Sequence, residues 1–531
     1  MRWRKRDVAP QAIRDLAERY GLPLLDASIL ARRGVTDPAD ILYFLEDDLR
    51  FLHNPFLFGG MEDAVDRVLL AVDEEEKVLV FGDRDTDGVT STALLVEALR
   101  GLGLDTRYRL PSEEEKYGLS RAAVDEFVAD YGSLIITVDC GISNHAEVAY
   151  AAERGVDVII LDHHVLQAAE PPAALAVIDP KIEGCGYPFR DLSGCGVAYK
   201  LAWALRFART ALYKQELALL NVRPVNEAYV IETVRLSNLA ETGRLSETIV
   251  PGMVDLASTR LVPFLQGRQI FVWDGELQKR MLAKALGSAA EVNCYDVRPD
   301  VARLIPQAAG ASLLRLSELS KLKKYGAQAP SELDTFVSVF TSFALRSAGL
   351  YGDTDNSVLQ LVALSTIADL MPLRDENRIL VRLGLESLNR KPRPGLAELV
   401  ARQNAAGKRL SAIDVAWQLS PVVNAAGRMG QPEVAVKLLL ADQPAERAAL
   451  ADRLLELNQE RRGLGAQCWD AVLPLARKAA DEAGGKYVIV GDGGIHRGIT
   501  GILASRLAET FRAPAVTATF MDDGTAVGSV R

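Results

Sequence analysis

Short apolar runs alternate with amphipathic stretches between residues 77 and 161, and this alternation is the clearest structural signal in the chain. The candidate strands are 78–81, 106–110, 134–138 and 156–161, and the candidate helices are 91–100, 121–131 and 145–154. Strands that alternate with helices of this length indicate βαβ units and a parallel, doubly wound sheet. The sequence therefore predicts an α/β fold.

The remaining segments follow other patterns. Residues 1–70 are typical of helices and turns, and residues 210–355 interrupt the alternation. The later candidate helices are 359–370, 433–440 and a long one over 444–483, and the later candidate strands are 487–490 and 515–520. This pattern predicts a second, smaller α/β domain at the C-terminal end.

Composition narrows the class of protein. The chain has 531 residues, of which 49% are hydrophobic and 25% charged, as is typical of a soluble globular protein with several domains. No apolar run approaches the about 18 residues that a membrane span needs. The five cysteines are scattered without CxxC spacing, which favours a cytosolic protein with free thiols over a zinc finger. A net charge of −10 excludes a generally basic protein that coats nucleic acid, but it leaves room for a local basic groove.

Acidic and imidazole side chains follow three of the first four candidate strands. They are Asp83, Asp85 and Asp87 after the first strand, Asp139 after the third, and Asp162, His163 and His164 after the fourth. Because ligands of open parallel sheets bind beyond the carboxyl ends of the strands, we expect these groups to meet at one edge. Alone, each motif is as easily a turn, a calcium loop or a helix cap, and it is their convergence that indicates a functional site.

Such a cluster of carboxylates would repel itself unless cations neutralised it. Oxygen ligands with one or two imidazoles suit Mn²⁺ or Mg²⁺, and the absence of thiolates argues against structural zinc. Two such ions that share a bridging carboxylate are the usual device for hydrolysing phosphoesters. The sequence therefore predicts a two-metal phosphoesterase site.

Several motifs resemble those of one enzyme family, the DHH phosphoesterases. The first three are Asp83-Arg-Asp-Thr-Asp-Gly88, Val138-Asp-Cys-Gly141 and Leu161-Asp-His-His164. Further strings are similar to the RecJ branch of that family: Ile178-Asp-Pro-Lys181, Cys185-Gly-Tyr-Pro-Phe189, Ser193–Lys200, Ala363–Pro372, Asn424–Gly430 and Val490–Ile499. The resemblance covers about 50–204, 356–440 and 485–531.

The resemblance implies a function and a set of site residues. The expected activity is 5′→3′ hydrolysis of single-stranded DNA to mononucleotides with two Mn²⁺ or Mg²⁺ ions, in DNA repair and recombination. The catalytic and metal-binding residues would be Asp85, Asp87, Asp139, His163, His164 and Asp369, with Asp83 and Asp162 as supporting groups and Asp83 also a ligand in one metal state. The resemblance further implies a cytoplasmic monomer whose partners are single-stranded DNA and, as candidates, a single-strand-binding protein or a helicase.

Residues outside the first three motifs depend more heavily on the resemblance. Asp369 gains support because it sits in an apolar run, where an unpaired buried carboxylate would be expensive. Arg428, placed among small residues at an expected helix start, would suit a phosphate contact, although a helix-capping role is the alternative. His496, Arg506 and Arg531 would line the nucleic-acid face of the C-terminal domain.

Two features depart from the family pattern. About 150 residues separate the 196–200 segment from Asp369, where the family has a short link. This insertion faintly resembles a proofreading-type exonuclease domain that has kept Glu232 but carries Val230, Gln278 and Thr335 at the other ligand positions. A single carboxylate cannot hold two metals, so we expect either an inactive relative of that fold or an unrelated α/β insertion, and no catalytic contribution in either case.

The second departure concerns the C-terminal domain, whose family motif begins near Gly528. In the family this motif runs on through the rest of the domain into an OB-type module, whereas the sequence stops at Arg531. We therefore expect a partial domain, either because the sequence is truncated or because the protein does without that module. The expected domains are an N-terminal helical segment (1–70), the catalytic domain (71–204 and 356–440), the insertion (205–355), a connecting helix (441–484) and a partial DHH-associated domain (485–531). Two alternative functions remain open: a DHH phosphodiesterase for short oligonucleotides or cyclic dinucleotides, and a non-catalytic replication or repair scaffold with a DHH core.

Overall fold

A computed structural model describes residues 5–112, 115–254, 256–287, 292–326, 330–350, 357–403, 407–521 and 524–531. These residues form two compact units. The larger unit comprises 58–202, 355–372 and 380–531, and the smaller one comprises 1–57, 203–354 and 373–379. Among the described residues, no helix combines the length and the apolar character needed to cross a bilayer.

The structure contains helices, strands and short helical turns along the whole chain. The helices are α1 Pro10–Tyr20, α2 Leu24–Arg33, α3 Pro38–Leu45, α4 Met61–Asp73, α5 Thr86–Arg100, α6 Arg121–Ala129, α7 His145–Glu153, α8 Gly194–Ala208, α9 Leu261–Leu265, α10 Gly275–Leu286, α11 Arg298–Leu304, α12 Leu313–Leu319, α13 Leu322–Tyr325, α14 Glu332–Ser347, α15 Val358–Ala368, α16 Asp375–Arg390, α17 Pro394–Arg402, α18 Ala412–Asp414, α19 Ser420–Arg428, α20 Pro432–Leu440, α21 Pro444–Glu482 and α22 Thr500–Phe511. The strands are β1 Lys77–Gly82, β2 Asp105–Arg109, β3 Leu134–Val138, β4 Asp157–Leu161, β5 Ala176–Ile178, β6 Leu217–Val225, β7 Ala228–Ser237, β8 Ala240–Ile249, β9 Gln269–Val272, β10 Tyr295–Asp296, β11 Val488–Gly491, β12 Ala515–Phe520 and β13 Ala526–Val530.

The larger unit is built on a five-stranded parallel sheet in the order β2-β1-β3-β4-β5. Its central strands β1, β3 and β4 are buried at every position except the first residue of β1 and of β4, as expected for a doubly wound sheet. The register places Gly82 beside Val138, and Val138 beside Leu161. Leu161 in turn pairs with Ile178 at the end of β5. Four strands therefore end level, and the residue after each one lies at the same edge of the sheet.

The C-terminal part of the larger unit is a three-stranded sheet packed against the long helix α21. Strand β12 pairs with β11 in parallel and with β13 in antiparallel orientation. Residues Cys468 to Ala480 of α21 form one core cluster with β11, β12 and α22. The long helix predicted over 444–483 is therefore present, and its last turns cover this sheet. The sequence Asp522-Asp-Gly524 predicts a turn after β12, and residues 522–523 lie outside the described residues.

The smaller unit contains a mixed sheet in the order β10-β9-β6-β7-β8. Strands β6, β7 and β8 are antiparallel neighbours, whereas β9 and β10 continue the sheet in parallel. The N-terminal helices belong to this unit as well, because Tyr20 and Ile41 share a core cluster with Tyr325. The chain up to residue 57 thus groups with the inserted segment, whereas the sequence suggested a separate N-terminal segment over 1–70.

The polar residues expected to mark a former nuclease site in the insertion have structural contacts. Glu232 on β7 pairs with Arg223, with 3.2 Å between Oε2 and Nε. Gln278 on α10 is buried, and its Oε1 accepts a hydrogen bond of 2.7 Å from the Val222 amide. Thr335 on α14 donates to the Ser331 carbonyl oxygen at 2.9 Å. Among the described residues, every cluster with metal-binding spacing lies in the larger unit.

One difference from the expected elements affects the site directly. The sequence pattern begins the first helix of the sheet at Ser91, but α5 begins at Thr86. Asp85 caps the helix, since its Oδ1 accepts hydrogen bonds from the amides of Asp87 and Gly88 at 2.9 and 3.1 Å. Asp87 therefore sits in the first turn of a helix rather than in a loop.

We expect two glycine-to-alanine changes in helices to have opposite effects on stability. A Cβ at Gly427 of α19 would lie 2.1 Å from the Arg84 carbonyl oxygen, whereas a Cβ at Gly463 of α21 would meet nothing within 4 Å. Gly427→Ala should lower the free energy of unfolding by about 1–3 kcal/mol through overpacking. Gly463→Ala should raise it by roughly 0.5–1 kcal/mol, because alanine is the better helix former. Denaturant unfolding checks both, and equal effects would contradict the close packing of α19 on the β1–α5 loop.

Candidate metal centre

Three carboxylates form the first cluster at the level edge of the sheet. Asp83 and Asp85 follow β1, and Asp139 follows β3. Each offers an oxygen within 4.8 Å of the other two. Asp83 and Asp139 are buried, and Asp83 Oδ1 has no hydrogen-bond partner. A buried carboxylate oxygen without a donor is the feature that a bound cation would satisfy.

A second cluster surrounds the ring of His163. Its Nε2 lies 3.1 Å from Asp139 Oδ1, 3.6 Å from Asp87 Oδ2 and 3.7 Å from Asp369 Oδ2. Burial lowers the pKa of His163, which favours the neutral imidazole that binds metals. Because Asp139 belongs to the first cluster and also contacts His163, it is placed to bridge two cations.

Asp87 is held in one orientation by donors on α8 and α15. Its Oδ1 accepts from the Cys195 amide at 2.7 Å and from the Ser365 hydroxyl at 2.6 Å, and its Oδ2 accepts from the Gly194 amide at 2.8 Å. Each carboxylate oxygen has about two lone-pair sites. Both sites of Oδ1 are used by donors, whereas Oδ2 uses one and keeps the other, and Oδ2 lies 3.6 Å from His163 Nε2. Asp87 is therefore a pre-oriented ligand with one oxygen to offer.

Position 194 has to be glycine for this arrangement. A Cβ built on Gly194 would lie 2.7 Å from Asp139 Cβ and 2.8 Å from Asp139 Oδ1. The close approach lets the first amides of α8 reach Asp87, and it brings the positive end of the helix dipole toward the carboxylates. The Gly194 contact explains why the string Ser193–Lys200, which carries no acidic ligand, belongs to the site.

His164 is paired with Asp162 rather than with the other carboxylates. His164 Nδ1 lies 2.8 Å from Asp162 Oδ1, and this hydrogen bond raises the pKa of His164. Burial alone would raise the pKa of Asp162, but the hydrogen bond and charge of His164 outweigh it and lower that pKa. With Nδ1 engaged, Nε2 is the nitrogen left for a substrate or a metal. Asp162 thus orients His164, and its supporting role at a metal site stays a prediction.

Three carboxylates of the site, Asp83, Asp139 and Asp369, have a raised pKa. Burial and the neighbouring charge of Asp85 raise the pKa of Asp83 to about 7, and partial burial with the charge of Asp87 raises that of Asp369 to about 7. Burial and the charge of Asp87 also raise the pKa of Asp139. Oxygen donors with imidazole nitrogen are the set that Mn²⁺ and Mg²⁺ accept, so the residues present fit these ions.

The expected burial of Asp369 is wrong, although its position in the site is not. Asp369 follows the last residue of α15, and its side chain is 35% exposed. The apolar run forms the buried helix α15. Asp369 and the exposed Leu370 come after the end of that helix. Partial burial still raises the pKa of Asp369 to about 7, but this carboxylate is not enclosed in the apolar core as the sequence suggested. What brings Asp369 to the site is the packing of α15 against α5.

The polar residues at the site that were not among the expected ones include Asp179, Tyr117 and Asn424. Asp179 follows β5 at the same edge and is fully buried, and burial raises its pKa to about 7. Tyr117 donates to the Asp139 carbonyl oxygen, and Asn424 Oδ1 accepts from the Thr86 amide at 2.7 Å. Asp179 could have been found from the sequence, because it follows a short apolar run as the other ligands do. The other two depend on loop and helix packing that leaves no periodic signal.

Arg428 ends α19, so the expectation of a helix start at this residue is wrong. Its Nη1 donates to the Gly498 carbonyl oxygen at 3.1 Å, and the Gly498 amide donates to His496 Nδ1 at 3.1 Å. Gly498 thus links Arg428 and His496, because it makes one hydrogen bond with each. Burial lowers the pKa of Arg428, with the charge of Asp85 opposing and that of Arg531 adding to the shift.

Arg461 of α21 extends this basic group. Burial lowers the pKa of Arg461, and the nearby charge of Arg428 lowers it further. Arg428 thus interacts electrostatically with Asp85, with Arg531 and with Arg461, and the three arginines are here called the arginine cluster. Arg506 has a different environment, since its guanidinium carbon lies 3.8 Å from the ring centroid of Trp469. Its expected contact with nucleic acid stays a prediction.

Comparisons with known proteins show which family this chain is similar to. The profile described as "DHH family, N-terminal domain" matches residues 77–222. The single-stranded-DNA-specific exonuclease RecJ of Bacillus subtilis (strain 168) is 28% identical over 534 residues, covering 100% of this chain and 49% of the relative. RecJ of Dickeya dadantii (strain 3937) is 30% identical over 517 residues, covering 96% of this chain and 66% of the relative.

Solved structures give the same result for the fold. The crystal structure of Thermus thermophilus RecJ in complex with Mn²⁺ has a TM-score of 0.61 at 24% identity, covering 99% of this chain and 54% of that one. A structure of exonuclease RecJ bound to manganese has a TM-score of 0.55 at 25% identity, covering 91% of this chain and 83% of that one. The chain spans about half to two thirds of the length of the curated relatives described above. It belongs to the DHH family, and the relatives that it matches along most of its length are RecJ proteins.

Proposed function

We propose that this chain carries a metal-dependent exonuclease that hydrolyses single-stranded DNA in the 5′→3′ direction and releases mononucleotides. The observation that carries the proposal is the meeting of Asp83, Asp85, Asp87, Asp139 and His163 at one sheet edge with metal-binding spacing. The substrate and the direction come from the resemblance to RecJ, whose curated members are named single-stranded-DNA-specific exonucleases.

The proposed chemistry divides between bound ions and the chain. Two Mn²⁺ or Mg²⁺ ions would activate water and neutralise the charge that develops on the phosphoryl oxygens. Asp87 presents Oδ2 in a fixed orientation, because three donors hold the rest of its carboxylate. His164, oriented by Asp162, presents Nε2 to the site and can hold or supply a proton at the scissile phosphate.

The arginine cluster is proposed to hold the DNA backbone beside the ions. Arginine guanidinium groups bind phosphate oxygens through two parallel hydrogen bonds, and a partly buried arginine beside other arginines gains from a bound anion. Arg428 ends the same helix that supplies Asn424 to the β1–α5 loop. A phosphate held by Arg428 would therefore lie next to the loop that carries Asp83 and Asp85.

The partners, the oligomeric state and the cellular location are proposed from the resemblance alone. We propose single-stranded DNA as the partner, with a single-strand-binding protein or a helicase as the protein that supplies the strand. We also propose a monomer that acts in the cytoplasm in DNA repair and recombination. The segment over 205–355 is proposed to make no catalytic contribution, because Gln278 and Thr335 are engaged in structural hydrogen bonds.

End-labelled DNA tests the function directly. With Mn²⁺, a single strand labelled at its 5′ end should release labelled mononucleotide at once, whereas a strand labelled at its 3′ end should first yield shortened labelled products. Duplex DNA of the same sequence should be resistant. Cleavage restricted to short oligonucleotides or cyclic dinucleotides would identify the smaller type of DHH phosphodiesterase, and no cleavage of any substrate would favour a non-catalytic scaffold.

Asp139→Asn should abolish hydrolysis and stabilise the metal-free protein. Asparagine keeps the shape of the side chain and tolerates the left-handed backbone at this position, where φ is 58°. Because the pKa values of Asp83 and Asp369 are raised to about 7, the folded metal-free protein binds more protons than the unfolded chain between about pH 4 and pH 7. Its stability therefore falls as the pH rises through that window, and the neutral side chain of the variant reduces this loss.

Thermal unfolding in EDTA at pH 5 and pH 8 measures the effect. The variant should exceed the wild type in Tm at pH 8, with a smaller difference at pH 5, and added Mn²⁺ should raise the Tm of the wild type far more than that of the variant. Retained hydrolysis in Asp139→Asn, or an equal response to Mn²⁺, would contradict the role of Asp139 as a shared ligand.

Arg428→Gln should weaken DNA binding in a salt-dependent manner. Each phosphate contact to a single strand contributes about 0.7 to the slope of log K against log[salt], so loss of one contact should reduce the slope by about that amount. Arg453→Gln is the matched control, since Arg453 pairs on the surface with Glu456 and Glu460. Anisotropy titrations in the Asp139→Asn background avoid degradation of the DNA. Equal slopes for the two arginine variants would remove Arg428 from the interface.

A further inference from the structure

The loop between β2 and α6 brings a tyrosine into the centre that none of the expected motifs contains. Tyr117 Oη lies 2.8 Å from the carbonyl oxygen of Asp139 and 3.2 Å from Nδ1 of His164. The two rings meet edge to face, with centroids 5.7 Å apart and planes at 77°. Tyr117 is therefore in contact with a candidate catalytic histidine and with the backbone of a candidate metal ligand.

The donors and acceptors of this group can be arranged in only one consistent way. A carbonyl oxygen accepts, so the Tyr117 hydroxyl donates its proton to Asp139. Toward His164 Nδ1 the hydroxyl oxygen can therefore act only as an acceptor. Asp162 Oδ1, which lies 2.8 Å from the same nitrogen, is a carboxylate oxygen and is also an acceptor. Both neighbours thus require a proton on Nδ1. The lone pair of neutral His164 is consequently on Nε2, the nitrogen that is free to act.

The backbone on both sides of Tyr117 is tied to the site. Arg84, in the loop that carries the metal ligands, donates through Nη2 to the Glu115 carbonyl oxygen at 3.2 Å. On the other side, Asn144 accepts from the Leu119 amide at 3.0 Å and donates to the Leu119 carbonyl oxygen at 3.2 Å. These three hydrogen bonds fix where the Tyr117 side chain leaves the loop. The contact with His164 is therefore built into the fold.

We propose that Tyr117 is a positioning residue that fixes the tautomer and the ring orientation of His164 for phosphodiester hydrolysis. The inference rests on the proposed function, since His164 has to act on a substrate for its orientation to matter. Tyr117 works through His164, and Asp162 holds the same nitrogen from the other side. The ring of His163 lies 4.7 Å from that of His164. With Nδ1 shared between two acceptors, rotation of the imidazole would break both hydrogen bonds.

Tyr117→Phe removes the hydroxyl and keeps the ring. Loss of one net hydrogen bond to the reacting histidine should lower kcat about 2- to 12-fold, while KM stays within about twofold. Tyr150→Phe is the matched control, because the Tyr150 hydroxyl donates to Asp125 at 2.9 Å on the surface of the same unit and touches no site residue. Its kcat and KM should equal those of the wild type.

A double-mutant cycle separates positioning from a general structural effect. Since Tyr117 acts through His164, Tyr117→Phe should change nothing further in the residual activity of His164→Ala. The same fold loss in both backgrounds would overturn the proposal, and so would an unchanged kcat in Tyr117→Phe. If His164→Ala leaves no measurable rate, the contact between Tyr117 and His164 is tested by a measurement that does not need activity.

That measurement is the NMR spectrum of protein labelled with ¹⁵N-histidine. The chain has five histidines, so the signals can be assigned by substitution. At about pH 9, above the usual imidazole pKa of about 6.5, His164 should show a protonated Nδ1. That signal should shift in Tyr117→Phe and stay in place in Tyr150→Phe. An unmoved signal would overturn the contact, whereas a shifted signal in a protein without nuclease activity would leave the contact standing and reject the proposed function instead.

Discussion

The repulsion among carboxylates at one edge of the parallel sheet is the constraint on which the site depends. Four strands end in register, and the residue after each is an aspartate: Asp83, Asp139, Asp162 and Asp179. Helices on both faces bury these groups, which raises the pKa of Asp83 and Asp179 to about 7. A fold gains nothing in stability from such an arrangement without cations. The cost is understandable only if the edge binds positive charge.

The surrounding structure limits this repulsion by using up carboxylate oxygens. Asp85 directs Oδ1 to the first amides of α5, and Asp87 receives the first amides of α8. Asp162 accepts a hydrogen bond from His164 Nδ1 at 2.8 Å. Each of these contacts holds a carboxylate in one orientation and leaves a defined oxygen or nitrogen toward the centre. The same hydrogen bonds thus stabilise the fold and pre-organise the ligands, which is the condition for fast chemistry at a metal site.

The sequence could predict the sheet and the ligands that follow its strands, because both depend on short-range periodicity and on the rule that parallel strands end at one edge. It could not predict what depends on packing between distant segments. The start of α5 at Thr86 depends on the cap that Asp85 makes, and Asp369 reaches the site through the packing of α15 on α5. Arg428 ends α19 because the chain turns at Gly430, where φ is 69°. Tyr117 reaches His164 through a loop with no periodic pattern at all.

Buried polar atoms without a hydrogen-bond partner occur in both units, including Thr233 Oγ1 and Glu247 Oε2 of the inserted segment. Among the described residues, however, only the larger unit gathers such atoms beside clusters with metal-binding spacing. At the sheet edge of the larger unit, Asp83 Oδ1, Asp179 Oδ2 and His163 Nδ1 are buried without a hydrogen-bond partner. In the inserted segment, Asn221 and Gln278 are also buried, but Gln278 accepts from the Val222 amide and donates to Asn221 at 3.3 Å. A polar group that is satisfied by its neighbours stabilises a fold, whereas several unsatisfied charges or imidazoles at one place require a ligand from outside. Asn221 and Gln278 therefore stabilise the core of the insertion, whereas the carboxylates of the larger unit are arranged as a candidate cation site.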